Sequence, residues 1–199
     1  MNDDAQTLAA ANLRSGGIGI RHVRPADYEW IFESLWLSSG NLMNYRLAGV
    51  VPAPEQLIDT LWRGVDGQFL IVEEGSRGEV RHGLVTFYER DDRAGTCGLA
   101  VALAESSQGA GRPLVGIGLA IDHWFRVTPA RKIWVEVPGW NISRLRGISA
   151  FGFELEGCRR EQDWLDGRHW DRHLYALFKS NWSAVRPLLH LVDRNRHPG

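Results

Sequence analysis

The sequence predicts an α/β (α+β) domain of three layers, in which helices flank a central mixed, mostly antiparallel sheet. The apolar patterns follow the order strand, two helices, three strands, helix, strand, helix and two strands. Short loops rich in glycine and aspartate separate the three consecutive strands, which is typical of an antiparallel meander. No repeat or proline-rich linker divides the 199 residues, so we expect one domain.

The first elements are one strand and two helices. Ile18–Arg24 alternates apolar and polar residues and ends at Pro25, which predicts a strand. Tyr28–Leu37 carries apolar and aromatic residues at helical spacing, and Asp27 is placed to cap that helix. A second helix is expected after Pro54.

The remaining elements alternate between strand and helix patterns. A period of two predicts strands at Gln68–Glu74, Val80–Tyr88 and Thr96–Leu103. A helical apolar stripe follows from Leu114 to Phe125. The last predicted elements are a strand at Lys132–Val137, a helix at Asn141–Phe151, a strand from Phe153, a polar and aromatic connection at Asp163–Trp170, and a strand at Arg172–Lys179.

Charge and cysteine content exclude several classes of function. The chain has 23 basic and 24 acidic residues, so its net charge of -1 gives no reason to expect a nucleic acid or an anionic membrane as partner. Cys97 and Cys158 form no Cys-x-x-Cys pair, so we expect two reduced thiols and neither a disulfide framework nor a thiolate zinc site.

The ends of the chain and its location are also expectations. The N-terminal segment has no basic flank before a long apolar core, so it does not resemble a secretory signal. We expect a flexible tail at residues 1–15, the folded domain at residues 16–190 and a second tail at residues 191–199. The longest apolar run near the middle, Leu114–Ile121, is too short for a bilayer. The excess of arginine over lysine favours a bacterial, cytoplasmic protein.

A glycine-rich loop lies between the third meander strand and the predicted helix at Leu114–Phe125. The segment Gln108–Pro113 reads Gln-Gly-Ala-Gly-Arg-Pro. Glycines allow close approach to the backbone, and the amides at a helix start suit a diphosphate. Arg112 adds a charge that can pair with phosphate oxygens. The alternative is a tight turn in which the glycines serve geometry alone.

Taken together, several motifs resemble the GNAT superfamily of acyl-coenzyme A N-acyltransferases. The resemblance covers Ile18–Trp182, and the C-terminal motif is similar to the branch of ribosomal-protein alanine and polyamine acetyltransferases. The motifs are Gln108-Gly-Ala-Gly-Arg112, Trp134-Val-Glu-Val137, Asn141, Gly152-Phe-Glu-Leu-Glu-Gly157 and Asp171-Arg-His-Leu-Tyr-Ala-Leu-Phe-Lys-Ser-Asn-Trp182.

The resemblance implies a GNAT-like fold and acetyl-coenzyme A as co-substrate, without a metal. The implied reaction is direct attack by a primary amine of a protein N-terminus, a polyamine, an amino acid or a natural product. The residues implied in binding the coenzyme are Leu103, Ala104, Gln108, Gly109, Ala110, Gly111, Arg112, Asn141 and Arg144. Pro113 has no N–H group, so the loop offers one amide fewer than is usual in the family. Arg146 is a further candidate for the ribose phosphate, and a solvated helix face is the alternative for both arginines.

The resemblance also implies two candidates for proton transfer. Glu136 stands where some members of the family carry a general base, which is needed because alkyl amines are protonated near neutral pH. A solvent-facing strand glutamate is the alternative, and Glu105 is a second candidate. The family's tyrosine acid is replaced by Ile148, so either Ser143 protonates the thiolate or the thiolate leaves unassisted. Ser143 and Asn141 are equally consistent with helix capping.

The resemblance also implies that the acceptor enters between the first two helices and the closing hairpin. That surface would draw on Trp30, Trp36, Tyr45, Trp62, Trp164 and Trp170, with Glu161, Asp163 and Asp166 to attract a cation. One alternative is a catalytically weak acyl-coenzyme A sensor or partner-binding module. Another is a nucleotide-binding module, against which Leu114 stands where the third glycine is needed. A homodimer is left open.

Overall fold

Where the structure describes the chain, one sheet of eight strands organises the fold. The computed structural model describes residues 13–37, 53–76, 78–109, 111–145 and 148–185. The strands are β1 (Arg14–Ser15), β2 (Ile18–His22), β3 (Val65–Gly75), β4 (Gly78–Asp91), β5 (Thr96–Leu103), β6 (Lys132–Pro138), β7 (Glu154–Leu165) and β8 (Arg168–Phe178). Their order in the sheet is β1-β2-β3-β4-β5-β6-β8-β7. Only β5 and β6 are parallel, which confirms the predicted mixed, mostly antiparallel sheet.

The helices differ in length and in regularity. Helix α1 is continuous and passes from a 3-10 turn (Pro25–Asp27) through an α-turn (Tyr28–Trp30) to a π-helical stretch (Ile31–Trp36). Helix α2 joins a 3-10 turn (Pro54–Gln56) to an α-helix (Leu57–Trp62), and α3 is Arg112–Val127. Residues 179–185 are helical as well. Three 3-10 segments stand alone: Glu105–Ser107, Gly139–Leu145 and Ile148–Phe151.

The predicted helix at Asn141–Phe151 is only partly right, because two 3-10 segments occupy that part of the chain. Its half-buried apolar residues recur at every third position, and they are Ile142, Leu145, Ile148 and Phe151. A 3-10 helix has three residues per turn, so within each segment this spacing places two of them on one face: Ile142 and Leu145 in the first, Ile148 and Phe151 in the second. The tighter helix therefore buries them better.

The helices cover both faces of the sheet. Helix α3 packs on one face, where Trp124 stacks on Phe87 of β4 with ring centroids 4.2 Å apart. On the other face, Ile31 and Leu35 of α1 and Leu61 of α2 join a second apolar cluster with β3 and β4. These two cores confirm the predicted three layers. In the part of the chain that the structure describes, no helix is long and apolar enough to cross a bilayer.

Two segments predicted as irregular belong to the sheet. The predicted connection at Asp163–Trp170 is wrong, because Asp163 pairs with Trp170 and a two-residue turn joins β7 and β8. Asp166 and Gly167 form that turn with φ values of 52° and 77°, typical of tight hairpins. At the other end, Arg14 and Ser15 were assigned to the tail but pair with β2. The remainder of both tails, residues 1–12 and 191–199, lies outside the described residues.

Candidate active site

The sheet opens between β5 and β6. The two strands pair only where Thr96–Gly98 runs beside Lys132–Trp134, and β6 then continues along β8. Ala104 donates its N–H to the carbonyl of His82 on β4 (2.9 Å). Because alternate residues of a strand direct their main-chain groups to opposite sides, those of Leu99 and Val101 point into this opening.

The glycine loop follows directly from β5. Gly109 has a φ of +77°, and a Cβ built on it would meet nothing within 4 Å, so the loop faces open space. The side-chain amide of Gln108 donates to the carbonyl of Leu103 (3.3 Å) and ties the loop to the end of β5. Gly111 occupies the position before α3, and Pro113 lies buried in the first turn. Ala110 lies outside the described residues.

Close packing of α3 fixes the position of this loop. Gly116 lies against Ile71 of β3, and a Cβ on Gly116 would lie 3.0 Å from Cγ1 of Ile71. Real Cβ atoms rarely approach other atoms this closely, so the glycine allows α3 to approach the sheet. The amino end of α3 therefore lies beside the opening that follows β5. Open space above glycine, together with amides at a helix start, fits a diphosphate.

Arg112 forms an ion pair within the protein. Its guanidinium contacts the carboxylate of Glu73 on β3, and the imidazole of His82 donates to the same carboxylate from Nε2 (2.9 Å). A phosphate contact by Arg112 stays a prediction. In this structure a carboxylate already balances the arginine charge.

Asn141 stands just after β6 with its side-chain oxygen unsatisfied. Its Oδ1 atom is buried and has no hydrogen-bond partner among the described residues. Such an atom is costly to leave unpaired, which indicates a donor supplied by a ligand or by water. Coenzyme A carries amide N–H groups in its pantetheine arm, so Asn141 fits the role that the resemblance implies.

The other predicted residues near Asn141 differ in exposure. Ser143 and Arg144 are exposed in the 3-10 segment Gly139–Leu145, and Arg144 has an interaction within the protein. Glu105 is also exposed and engaged, in the 3-10 turn before the glycine loop. Ile148 packs against the core under α3. Arg146 lies outside the described residues.

Glu136 is held between two arginines. One carboxylate oxygen accepts from Arg159 (2.8 Å) and the other accepts from Arg172 (2.7 Å). Arg172 also donates to Asp163, and the hydrogen bonds that its guanidinium donates, first to Asp163 and then to Glu136, raise the pKa of that guanidinium. A carboxylate with both oxygens engaged can accept a proton only by giving up part of an ion pair. The general-base role of Glu136 stays a prediction.

Two aromatic rings cover the point at which β5 and β6 diverge. Tyr88 of β4 meets Trp134 of β6 edge to face, with centroids 5.2 Å apart. Beneath them lies Gly98, the last residue of β5 that pairs with β6, and a Cβ there would be 2.6 Å from Cζ of Tyr88. Burial, followed by the charges of Glu136 and Glu89, raises the pKa of the Tyr88 phenol, so it stays protonated. No local sequence pattern predicts this pair, because its two residues lie on separate strands, β4 and β6.

A pocket of about 220 Å³ lies on the Glu136 side of β6. Among its charged residues, Lys132 pairs with Glu156 (2.9 Å) and Arg159 pairs with Glu136. Glu89 has no ion-pair partner among the residues that the structure describes. The residues that line the pocket are Glu89, Lys132, Trp134, Val135, Glu136, Glu156, Arg159 and Leu174.

The tryptophans predicted for the acceptor surface have different environments. Trp36 is buried in the core with α1, and Trp30 packs against the same cluster. Trp62 donates from Nε1 to the Tyr28 hydroxyl (3.3 Å). At the hairpin tip, Trp164 is 61% exposed, whereas the guanidinium of Arg168 covers the ring of Trp170.

The acidic residues predicted for the same surface are also separated by environment. Asp163 is buried against Arg172, and Asp166 belongs to the exposed hairpin turn. The main-chain N–H of Glu161 donates to the carboxylate of Asp171 (2.8 Å). Tyr45, which was predicted to lie near them, is outside the described residues. Within the described ranges, His, Cys, Asp and Glu form no group of three that could hold a metal ion.

Comparison with known proteins identifies the fold. No protein-family model matches the sequence, and no curated protein matches it. Among solved structures, spermidine N-acetyltransferase from Vibrio cholerae in complex with CoA and spermine is similar, with a TM-score of 0.72 and 19% identity. The match covers 85% of this chain and 99% of that chain.

A second match agrees with the first. Spermidine/spermine N-acetyltransferase SpeG from Vibrio cholerae, in complex with manganese ions, has a TM-score of 0.68 and 19% identity. The match covers 84% of this chain and 96% of that chain. Both structures are members of the GNAT superfamily. The chain therefore has the GNAT fold that the motifs predicted.

Proposed function

We propose that this chain is an acetyl-coenzyme A-dependent N-acetyltransferase that acts on a primary amine. The observation that carries the proposal is the opening between β5 and β6, with the glycine loop and the amino end of α3 beside it. A strand whose main-chain groups face an opening can pair with an extended ligand that carries amides. The pantetheine arm of coenzyme A is such a ligand.

Each part of the coenzyme would have its own contacts. The main-chain amides of the loop and of α3 would hold the diphosphate, as a helix start holds other anions. Leu99 and Val101 would pair with the arm on one side, and Asn141 Oδ1 would accept one of its N–H groups. This arrangement leaves the thioester near the point at which the strands diverge, beneath Tyr88 and Trp134.

The reaction joins an amine nitrogen to the acetyl carbon and breaks the bond from that carbon to sulfur. Main-chain N–H groups at the opening would polarise the thioester carbonyl, which is commonly the largest contribution in acyl transfer. The attacking amine must first lose a proton, for which Glu136 is the candidate, directly or through water. The thiolate then takes a proton from Ser143 or leaves without help, since a thiol pKa is about 8.5. No step needs a metal.

A polyamine is the first acceptor to test. One similar solved structure contains spermine, and the pocket beside Trp134 carries the unpaired carboxylate of Glu89 at its edge. A carboxylate and aromatic faces both attract an ammonium group. A protein N-terminus, an amino acid and a natural product remain the other acceptors. We place the protein in the bacterial cytoplasm and leave the homodimer open.

Thermal unfolding with added ligands tests the binding half of the proposal. Saturating acetyl-coenzyme A should raise the unfolding temperature by several degrees, because a ligand that binds only the folded state stabilises it. NAD serves as the control, since it shares the adenosine and the diphosphate but lacks pantetheine. Stabilisation by NAD together with none by acetyl-coenzyme A would contradict the proposal and favour a nucleotide-binding module.

Release of free coenzyme A in the presence of an amine panel tests the catalytic half. We expect thiol release that depends on spermidine or another primary amine. One alternative is supported by the geometry, because Glu136 lies between Arg159 and Arg172 and Ile148 replaces the tyrosine acid. In that alternative the chain is an acyl-coenzyme A sensor. Tight coenzyme binding with no thiol release for any amine would favour the sensor.

A further inference from the structure

Both ends of the glycine loop are tied to one pair of residues. His82 of β4 contacts the Ser107 hydroxyl through Nδ1 (2.9 Å) and the Glu73 carboxylate through Nε2 (2.9 Å). Ser107 precedes the loop, and Arg112, which follows it, is ion-paired with the same carboxylate. His82 also accepts the N–H of Ala104 through its main-chain carbonyl (2.9 Å).

The direction of these hydrogen bonds follows from the chemistry of the groups. An ionised carboxylate can only accept, so Nε2 of His82 carries the hydrogen that points to Glu73. In the neutral imidazole, Nδ1 is then an acceptor, and the Ser107 hydroxyl donates to it. The side chains of Ser107, His82, Glu73 and Arg112 therefore form one connected set in which each polar group has a partner. Removal of one member leaves a partly buried group without its partner.

The order hydroxyl, imidazole, carboxylate resembles that of a serine hydrolase, but Ser107 is not placed to attack a substrate. Only 4% of Ser107 is exposed, so its hydroxyl is not accessible to an acyl group. Glu73 also balances the charge of Arg112, which a triad carboxylate does not need to do. The arrangement fits a structural role better than a nucleophilic one. We call Glu73 and His82, which contact Ser107 and Arg112, the brace.

We propose that Glu73 and His82 are positioning residues that hold the glycine loop in the conformation that binds a diphosphate. The inference rests on the proposed function, because it takes coenzyme A as the ligand. Gly109 and Gly111 have no Cβ to restrict their backbone, so we expect the neighbouring amides to need an external support to converge on one anion. The brace supplies that support from the sheet and does not touch the ligand.

Loss of the brace should weaken coenzyme binding more than it slows transfer from bound coenzyme. We expect Ser107→Ala and His82→Gln each to raise the Kd for coenzyme A by about 10-fold, the effect of one lost hydrogen bond. Gln at position 82 can still donate to Glu73 from the position of Nε2 but cannot reach Ser107. The double variant should lose little more than either single variant, because both changes break the same contact.

The test is calorimetric titration with coenzyme A, together with steady-state kinetics on two donors. Acetyl-pantetheine lacks the diphosphate, so kcat/KM with this donor should not change in the variants, whereas KM for acetyl-coenzyme A should rise. The control is Asp92→Asn, which removes an exposed partner of Arg90 in the turn between β4 and β5 and should leave both donors unaffected.

Three outcomes would overturn the inference. Variants that bind coenzyme A as tightly as the wild type contradict a positioning role. Equal losses with both donors indicate a general structural defect. A wild-type protein that does not bind coenzyme A contradicts the proposed function itself, and the inference fails with it.

Discussion

Ile71 of β3 occupies the space in which a side chain on Gly116 of α3 would lie. A Cβ on Gly116 would be 3.0 Å from Cγ1 of Ile71 and closer to its Cγ2. Gly116→Ala should therefore destabilise the fold by about 1–3 kcal/mol, although alanine favours helix more than glycine by about 1 kcal/mol. Chemical denaturation measures the change.

The control is the same substitution in a protein whose Ile71 side chain has been shortened. In an Ile71→Ala background, Gly116→Ala should lower the free energy of unfolding only slightly or should raise it, because both Cγ atoms of Ile71 are gone. Equal destabilisation in both backgrounds would show that the contact between α3 and β3 is not the cause.

The buried carboxylate of Asp27 makes the stability of the fold depend on pH. Burial raises the pKa of Asp27, but hydrogen bonds from Arg21 and from the N–H of Arg24, with the charges of Arg21 and Arg81, outweigh it and lower the pKa. A lowered pKa stabilises the fold above the unfolded value of about 3.9, and this contribution is lost as pH falls through the folded value. Asp27→Asn should lower the free energy of unfolding by about 3 kcal/mol at pH 7. This difference from the wild type, the gap, should shrink below about pH 4.

Unfolding curves recorded from pH 7 down to pH 3 would measure that gap. Asp92→Asn is the matched control, since Asp92 is an exposed carboxylate paired with Arg90, and the substitution should change the free energy of unfolding little. A constant gap between Asp27→Asn and wild type across the range would contradict the assignment to Asp27.

Glu136 can be tested as a base separately from its ion pairs. Glu136→Gln should lower kcat by about 10²-fold or more, because it removes the carboxylate that would accept the proton of the amine. Asp163→Asn disturbs the same Arg172 but leaves the carboxylate of Glu136 in place. An equal loss of activity in Asp163→Asn would show that the charge network matters and that Glu136 is not the base.

The two thiols should differ in reactivity. Burial raises the pKa of Cys97 to about 11, so it should resist a disulfide reagent at pH 8 while the protein is folded. Cys158 is exposed, although desolvation and the charge of Asp171 raise its pKa, and it should react. The reagent should therefore react with one thiol in the folded protein and with two after denaturation.

Cys158→Ser provides the control, since it should leave no reactive thiol in the folded protein. Rapid reaction of Cys97 in this variant would contradict its burial. The variant is also the better protein for any assay that measures coenzyme A release through its thiol.

The sequence predicted the strands well where their alternation was local. Thr96–Leu103 was predicted at the observed limits of β5, and β3, β4 and β6 were predicted within a few residues. The closing hairpin was predicted, but the connection at Asp163–Trp170 is longer than the two-residue turn at Asp166-Gly167 that joins β7 and β8. The segment after β6 is helical as predicted but consists of 3-10 turns, which differ from an α-helix only in the spacing of their hydrogen bonds.

Only those parts of the candidate site that are continuous in sequence could be predicted. The glycine loop and Asn141 could be identified because they lie in motifs that are continuous in sequence. The brace at Glu73 and His82 and the aromatic pair at Tyr88 and Trp134 join residues from separate strands, so their contacts exist only after folding. The opening also depends on how β6 leaves β5, which no pattern within either strand records.

The short ladder between β5 and β6 also divides the sheet mechanically. Strands β1–β5 form one continuous hydrogen-bonded unit and β6–β8 form another, joined at Thr96–Gly98. Because only three residue pairs join the two units along the sheet, we expect the hydrogen bonds at that junction to resist a tilt less than those within either unit. A molecule seated between them would couple the two motions, and amide hydrogen exchange in both units should slow together when the site is filled.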